Sequence, residues 1–180
     1  MTANARGKLC LLLGARIVGL VGNPRPRSRT HQMVSAVARA FADASGGTVE
    51  SVIDLVELKD SMFELGSPVL APALGAVLAA DVLVVGSPVY KATYTGLLKA
   101  FCDHIGHGQL AGAFALPTMM GGADAHALAV EHQLRPLLVE LGATCATPGL
   151  FVLEANTDRL EAIAAEHVAE IGAGLHFGSA

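Results

Sequence analysis

Between an apolar run and a helical pattern, the stretch Gly22-Asn23-Pro24-Arg25-Pro26-Arg27-Ser28-Arg29-Thr30 sets arginines at alternate positions beside two hydroxyls. The first turn of a helix carries N–H groups without intrahelical partners and the positive end of the helix dipole, so an anion held there gains both hydrogen bonds and favourable electrostatics. Asn23, Arg25, Ser28, Arg29 and Thr30 are the donors of such a phosphate site; a solvated basic turn is the alternative reading of the same residues. The stretch is neither G-x-G-x-x-G nor G-x-x-x-x-G-K-[ST], which removes a dinucleotide fingerprint and a P-loop.

Two other apolar runs end in residues suited to a ligand. Pro88-Val89-Tyr90-Lys91 offers rigid backbone whose amides match the polar edge of a flat ring, with Tyr90 as its cover; the alternative is an ordinary strand-to-helix connection with Tyr90 in the core. Gly121-Gly122 lets the chain approach a ligand with no Cβ between, although Gly-Gly is also a common turn. Converging on one sheet edge, the three describe a pocket for a phosphorylated planar ligand.

Other candidates are weaker. His104-Ile105-Gly106-His107 has no third ligand nearby in sequence, so no metal is assigned. Neither G-x-S-x-G nor H-E-x-x-H occurs, and no catalytic acid or nucleophile is assigned. His126 follows the glycine pair closely enough to border the pocket, or is a structural histidine. Pro136 stands inside a helical stripe, where it cannot donate to the His132 carbonyl and its ring crowds that group, which predicts a kink or π-bulge near His132.

These residues need a frame, and the periodicity supplies one. Ile17–Val21, Val49–Val56, Val82–Val85, Ala113–Met119 and Gly149–Leu153 read as strands. Helical patterns run from a Ser28 cap through Phe41, from Leu70 to Ala80, from Tyr94 to Ile105, from an Asp124 cap to Leu141, and from Thr157 to about Ile171. Leu128, Leu134, Leu137, Leu138 and Leu141 form the buried stripe of the fourth helix. Strands alternating with helices give an α/β fold with a parallel sheet covered on both faces, whose ligands bind beyond the carboxyl ends of the strands.

Composition bounds the class. The 180 residues are 52% hydrophobic and 16% charged against a typical ~25%, which excludes disorder and indicates one domain with a large core. A net charge of −4 offers no general attraction to nucleic acid or to anionic membrane. Cys10, Cys102 and Cys145 are odd in number with no C-x-x-C, the pattern of buried thiols in a reducing, cytoplasmic setting. Arg6 and Lys8 precede a short apolar run broken by Arg16, and no run approaches the ~18 residues of a membrane span, so residues 1–15 read as an N-terminal extension.

The run Ser87-Pro88-Val89-Tyr90-Lys91-Ala92-Thr93-Tyr94-Thr95-Gly96-Leu97-Leu98-Lys99, together with Gly22 to Thr30 and with Gly121-Gly122 through His126 to Leu134-Arg135-Pro136, resembles the NAD(P)H-dependent FMN reductases. The similarity spans roughly residues 16 to 155 and is greatest to reductases that supply reduced flavin to two-component alkanesulfonate and methanesulfonate monooxygenases. It implies a flavodoxin-like three-layer sandwich, with a five-stranded parallel sheet of order 2-1-3-4-5 and residues 16–180 as the FMN-binding domain. It further implies FMN phosphate on the first loop, the flavin ring along Pro88, Val89, Tyr90, Lys91 and Gly121-Gly122, and NADH or NADPH stacked on the exposed ring face.

Free flavin, pyridine nucleotide and a flavin-dependent monooxygenase are the implied partners. A tight-FMN quinone, azo or metal reductase and a flavodoxin-type electron carrier are the alternatives on the same fold. Asn23 replaces the usual Ser, and Met119-Met120 stand where a Thr is common. In the resembled reductases the helix carrying Pro136 has a π-helical segment at a subunit interface, marked by Tyr or His, and His132 matches the second kind. The resembled reductases associate through the helices after the third and fourth strands, which here are Leu97–Ile105 and Leu128–Leu141, and with so little charge for the surface a homodimer or homotetramer is the expectation.

Overall fold

A computed structural model of the chain describes residues 12–175, so most of the expected extension, residues 1–11, lies outside the described residues. Its last residues belong to the packed body: Leu12 and Ala15 are buried, and the Thr48 N–H donates to the Ala15 carbonyl at 2.9 Å.

The elements in chain order are β1 (Arg16–Val21), α1 (Arg29–Ser45), β2 (Thr48–Asp54), α2 (Ala71–Ala79), β3 (Val82–Pro88), α3 (Gly96–Cys102), β4 (Phe114–Gly121), α4 (Arg135–Glu140), β5 (Leu150–Leu153) and α5 (Leu160–Leu175). The five strands pair in parallel in the order β2-β1-β3-β4-β5, the flavodoxin-like arrangement. Alternating side chains feed two cores. Ile17, Val82, Val84 and Leu116 meet Met33, Val37 and Phe41 of α1 and Leu160, Ala164 and Val168 of α5. On the other face Val18, Leu83, Val85 and Met119 meet Val77, Leu98, Phe101 and Leu138. Both faces of the central strands are therefore dry, which is why they read as unbroken apolar runs.

β3 runs three residues beyond the expected Val85, carrying Gly86, Ser87 and Pro88 into the sheet edge. A Cβ on Gly86 would lie 2.2 Å from Val34 Cγ2, so the glycine lets α1 sit on this strand. β2 ends at Asp54, two residues before the expected Val56, because Leu55 and Val56 turn into a 3-10 segment where both are buried. α3 is shorter than expected at both ends: the Thr95 cap sets its start, and Asp103 closes its end with its N–H on the Lys99 carbonyl. α5 starts at Leu160 after a 3-10 segment, Glu154–Arg159, that takes in the expected start at Thr157.

The fourth helical pattern is broken into three pieces. Asp124 makes no side-chain cap and opens a 3-10 turn, Asp124–His126; a π-helix, Val130–Leu134, follows; then comes α4. This corrects the expected continuous stripe: Leu128 is 66% exposed, whereas Leu134, Leu138 and Leu141 are buried. The wider π turn shifts the phase of everything before it relative to α4, so one face cannot hold all five leucines.

Pro117 occupies the middle of β4 and has no N–H for the β5 side of the ladder. Ala115 N–H donates to Thr144 O at 2.9 Å on that side, and regular pairing resumes only at Thr118 with Leu150.

Candidate functional site

The first loop is built around the cap of α1. Ser28 Oγ accepts the His31 N–H at 3.2 Å, and the Ser28 carbonyl accepts the Gln32 N–H at 3.1 Å. That leaves the N–H groups of Arg29 and Thr30 at the open end of the helix, whose first turn holds no acidic residue. Asn23 is buried and spans the loop: its Nδ2 donates to Thr30 Oγ1 at 2.9 Å, and its Oδ1 accepts the Arg25 N–H at 2.9 Å. Arg27 sits at φ 50, and its N–H donates to Asp54 Oδ2 at 3.0 Å. The loop is thus held by its own polar groups and by Asp54 of β2, with Arg25, Arg27 and Arg29 exposed.

The second loop is a tight two-residue hairpin. Tyr90 N–H donates to Thr93 O at 2.8 Å and Thr93 N–H to Tyr90 O at 3.2 Å, with Lys91 at φ 52 and Ala92 at φ 65. Two successive left-handed residues are the signature of a type I′ turn, here built without glycine. Val89 N–H is taken by Met120 O at 2.7 Å, so the second loop is anchored to the end of β4. Tyr90 is 44% exposed and is no part of the core.

These loops meet in one cleft of about 260 Å³, lined by Asn23, Arg25, Pro26, Ser28, Arg29, Thr30, Pro88, Tyr90, Met120 and Glu154. Val89, Lys91, Gly121 and Gly122 stand outside its walls. Val89 packs against the core and Lys91 is on the exposed hairpin tip. Gly121 is buried, and a Cβ there would come within 3.0 Å of the Phe151 ring and 3.2 Å of His126 Cβ, so its bareness serves packing. Gly122 is exposed with open space around it. Clefts of about 390 Å³ occur elsewhere, beside His167 and beside His31, both away from the hairpin.

The π segment lies where Pro136 requires it. His132 N–H donates to Leu128 O at 2.9 Å, whereas the Arg135 N–H reaches five residues back to Val130 O. His132 and Pro136 are both exposed. Beneath them Arg135 Nε donates to Glu131 Oε2 at 2.5 Å, and Glu131 Oε1 accepts the Gly149 N–H at 2.6 Å. Arg135 also donates to the Cys145 carbonyl and, at 2.6 Å, to that of Thr147. The Arg135 hydrogen bond holds the Glu131 carboxyl below its usual range, and Glu131 in turn raises the guanidinium.

Three residues of this region were outside the expected set. Thr95 Oγ1 donates to the Gly22 carbonyl at 2.5 Å and caps α3, and Thr95 N–H donates to Ser87 Oγ at 3.0 Å; Thr followed by Gly-Leu-Leu-Lys is a cap signal in the sequence. Asp54 is buried at the end of β2, with Oδ1 unpartnered among the described residues. Glu154 enters from the end of β5 and pairs with Arg29 at 2.8 Å across 125 residues, a separation no local pattern reveals. His104 Nε2 lies 2.8 Å from Met62 O and His107 Nδ1 3.3 Å from Glu140 Oε1. No cluster of three or more His, Cys, Asp or Glu suited to a metal occurs among the described residues, and no helix there is long and apolar enough to cross a membrane.

The family model described as NADPH-dependent FMN reductase matches residues 15–158. The chain is 34% identical over 141 residues to the NADH-dependent FMN reductase SfnF of Pseudomonas putida, covering 76% of each. It is 31% identical over 137 residues to the FMN reductase (NADPH) of Escherichia coli strain K12, covering 76% of this chain and 72% of that one. Among solved structures, the apo form of NADH:FMN oxidoreductase (EMOB) superposes with a TM-score of 0.74 at 29% identity, over 87% of this chain and 89% of that one.

Proposed function

The chain belongs to the NADPH-dependent FMN reductase family and is an oxidoreductase that uses NAD(P)H and FMN, and from that premise we propose that it takes up FMN as an exchangeable substrate and delivers it reduced to a flavin-dependent monooxygenase of the sulfonate type. The observation that carries this reading is the meeting of the capped arginine loop and the Pro88–Thr93 hairpin in one open cleft.

The donor set fits FMN. Ser28, Thr30, Asn23 and the N–H groups of Arg29 and Thr30 face the open end of a 17-residue helix with no acidic residue in its first turn, and Arg25 and Arg29 add positive charge. Pro88 and the Tyr90 ring supply a wall for a flat ring, while the exposed Lys91 stands on the hairpin tip and Gly121-Gly122 lie outside the cleft. FMN supplies the ring that accepts hydride from the nicotinamide. The protein's own work would be alignment: the loop residues would hold the phosphate end, Pro88 and Tyr90 would hold the ring, and Tyr90, at 44% exposed, would leave room for a second ring.

His132, Pro136, Leu128 and Val139 are exposed along the kinked helix, which supports a homodimer or homotetramer joined there. A cytoplasmic location fits free pyridine nucleotide and reduced cysteines. Stopped-flow NADH and NADPH oxidation tests the whole. Turnover that requires added free FMN is expected. Turnover with quinone or azo dye and no added flavin would favour the tight-FMN reductase, and no turnover at all would favour an electron carrier.

A further inference from the structure

We infer that Glu154 is the residue that sets how firmly the phosphate end of the flavin is held, by competing with it for Arg29; the inference rests on the cleft being the phosphate site. Glu154 Oε2 accepts from Arg29 Nη2 at 2.8 Å, and both residues line the cleft. The Thr157 hydroxyl donates to the Glu154 carbonyl at 2.6 Å and fixes the backbone from which the carboxylate reaches. Because the first turn of α1 brings no carboxylate of its own, the one that faces this arginine comes from the opposite wall, at the end of β5.

A phosphate entering the cleft meets an arginine already paired and a carboxylate of its own sign. It must draw Arg29 away from Glu154 or share it, and the carboxylate repels it in either case. The pair is open to water, at 48% and 43% side-chain exposure, so it is a weak lock that a dianion opens at low cost. A bidentate grip with no competitor would retain the phosphate longer. Glu154 therefore favours release over retention, the property an enzyme needs if its flavin leaves after reduction. Asp54 acts on the same loop differently: it takes a backbone N–H of Arg27 and leaves that guanidinium outside.

The test compares FMN with riboflavin, which lacks the phosphate. Dissociation constants from flavin fluorescence quenching are measured for the wild type, Glu154→Gln, Glu154→Ala, Arg29→Ala and the Arg29→Ala/Glu154→Gln double variant. Both Glu154 variants are expected to bind FMN about fivefold more tightly and to release it more slowly, with riboflavin binding unchanged. In the Arg29→Ala background the gain is expected to shrink to less than about twofold. An FMN preference like that of the wild type in both Glu154 variants, or an equal gain with and without Arg29, would overturn the competition while leaving the phosphate site standing. A wild type that binds FMN no better than riboflavin would remove the site itself and the inference with it.

Discussion

The Thr95 hydroxyl donates to the Gly22 carbonyl at 2.5 Å while accepting the Leu98 N–H at 3.2 Å, so one side chain caps α3 and ties it to the first residue of the arginine loop. Thr95→Ala removes both bonds at a buried position and is expected to lower stability by about 2 kcal/mol. Thr95→Ser, which keeps the hydroxyl, is expected to retain most of it. Urea denaturation separates the two, and an alanine variant as stable as the wild type would show that the link carries no weight.

Acid should act on the network under the π segment. The folded-state Glu131 carboxyl lies below its unfolded value, so its contribution is complete above the unfolded carboxylate pKa of ~4.3 and is lost as pH falls through the lower folded value. Glu131 is partly exposed, which keeps this contribution to about 1 kcal/mol. Glu131→Gln is expected to lower the melting temperature at pH 7 and to flatten the decline between pH 5 and pH 3, both read by thermal unfolding across pH.

The hairpin tip tests backbone strain. Ala92 holds a left-handed φ of 65 that a β-branched residue adopts poorly. Ala92→Val is expected to destabilise by about 1–2 kcal/mol and to weaken FMN binding, whereas Ala92→Gly leaves stability unchanged or raised. Equal melting temperatures for the valine and glycine variants would contradict the type I′ turn.

Burial pushes the Cys102 thiol up to about 12 and raises that of Cys145 as well. In a Cys10→Ser background, iodoacetamide at pH 8 is expected to label Cys102 at least about a hundredfold more slowly than after unfolding in urea, because its folded thiolate fraction is on the order of one in ten thousand. Mass spectrometry of timed samples gives the rates.

What the sequence disclosed follows from which forces are local. Ser28 as the cap of α1 and the disturbance before Pro136 were legible because each depends on groups within one or two helical turns. The central strands were legible because burial on both faces leaves continuous apolar runs. The hairpin at Lys91-Ala92 was not, since neither residue prefers positive φ and the turn is imposed by the Tyr90–Thr93 pairing and the Met120 anchor. Asp54 and Glu154 were illegible for a different reason: each reaches the loop from a distant strand end, and only the strand order decides that they arrive there. Leu128 misled because a stripe drawn with one helical period cannot see a π turn inside it.

Pro117 has a consequence at the edge of the sheet. With its donor missing, β4 cannot clamp residues 145–149 by backbone pairing, and the clamp comes from Arg135 on the carbonyls of Cys145 and Thr147 and from Glu131 on the Gly149 N–H. The stretch that leads into the outermost strand is therefore latched by a charge pair standing in for ladder bonds. The Gly149 amide should then exchange with solvent on the protonation schedule of a carboxyl group, unlike the amides of the neighbouring strands.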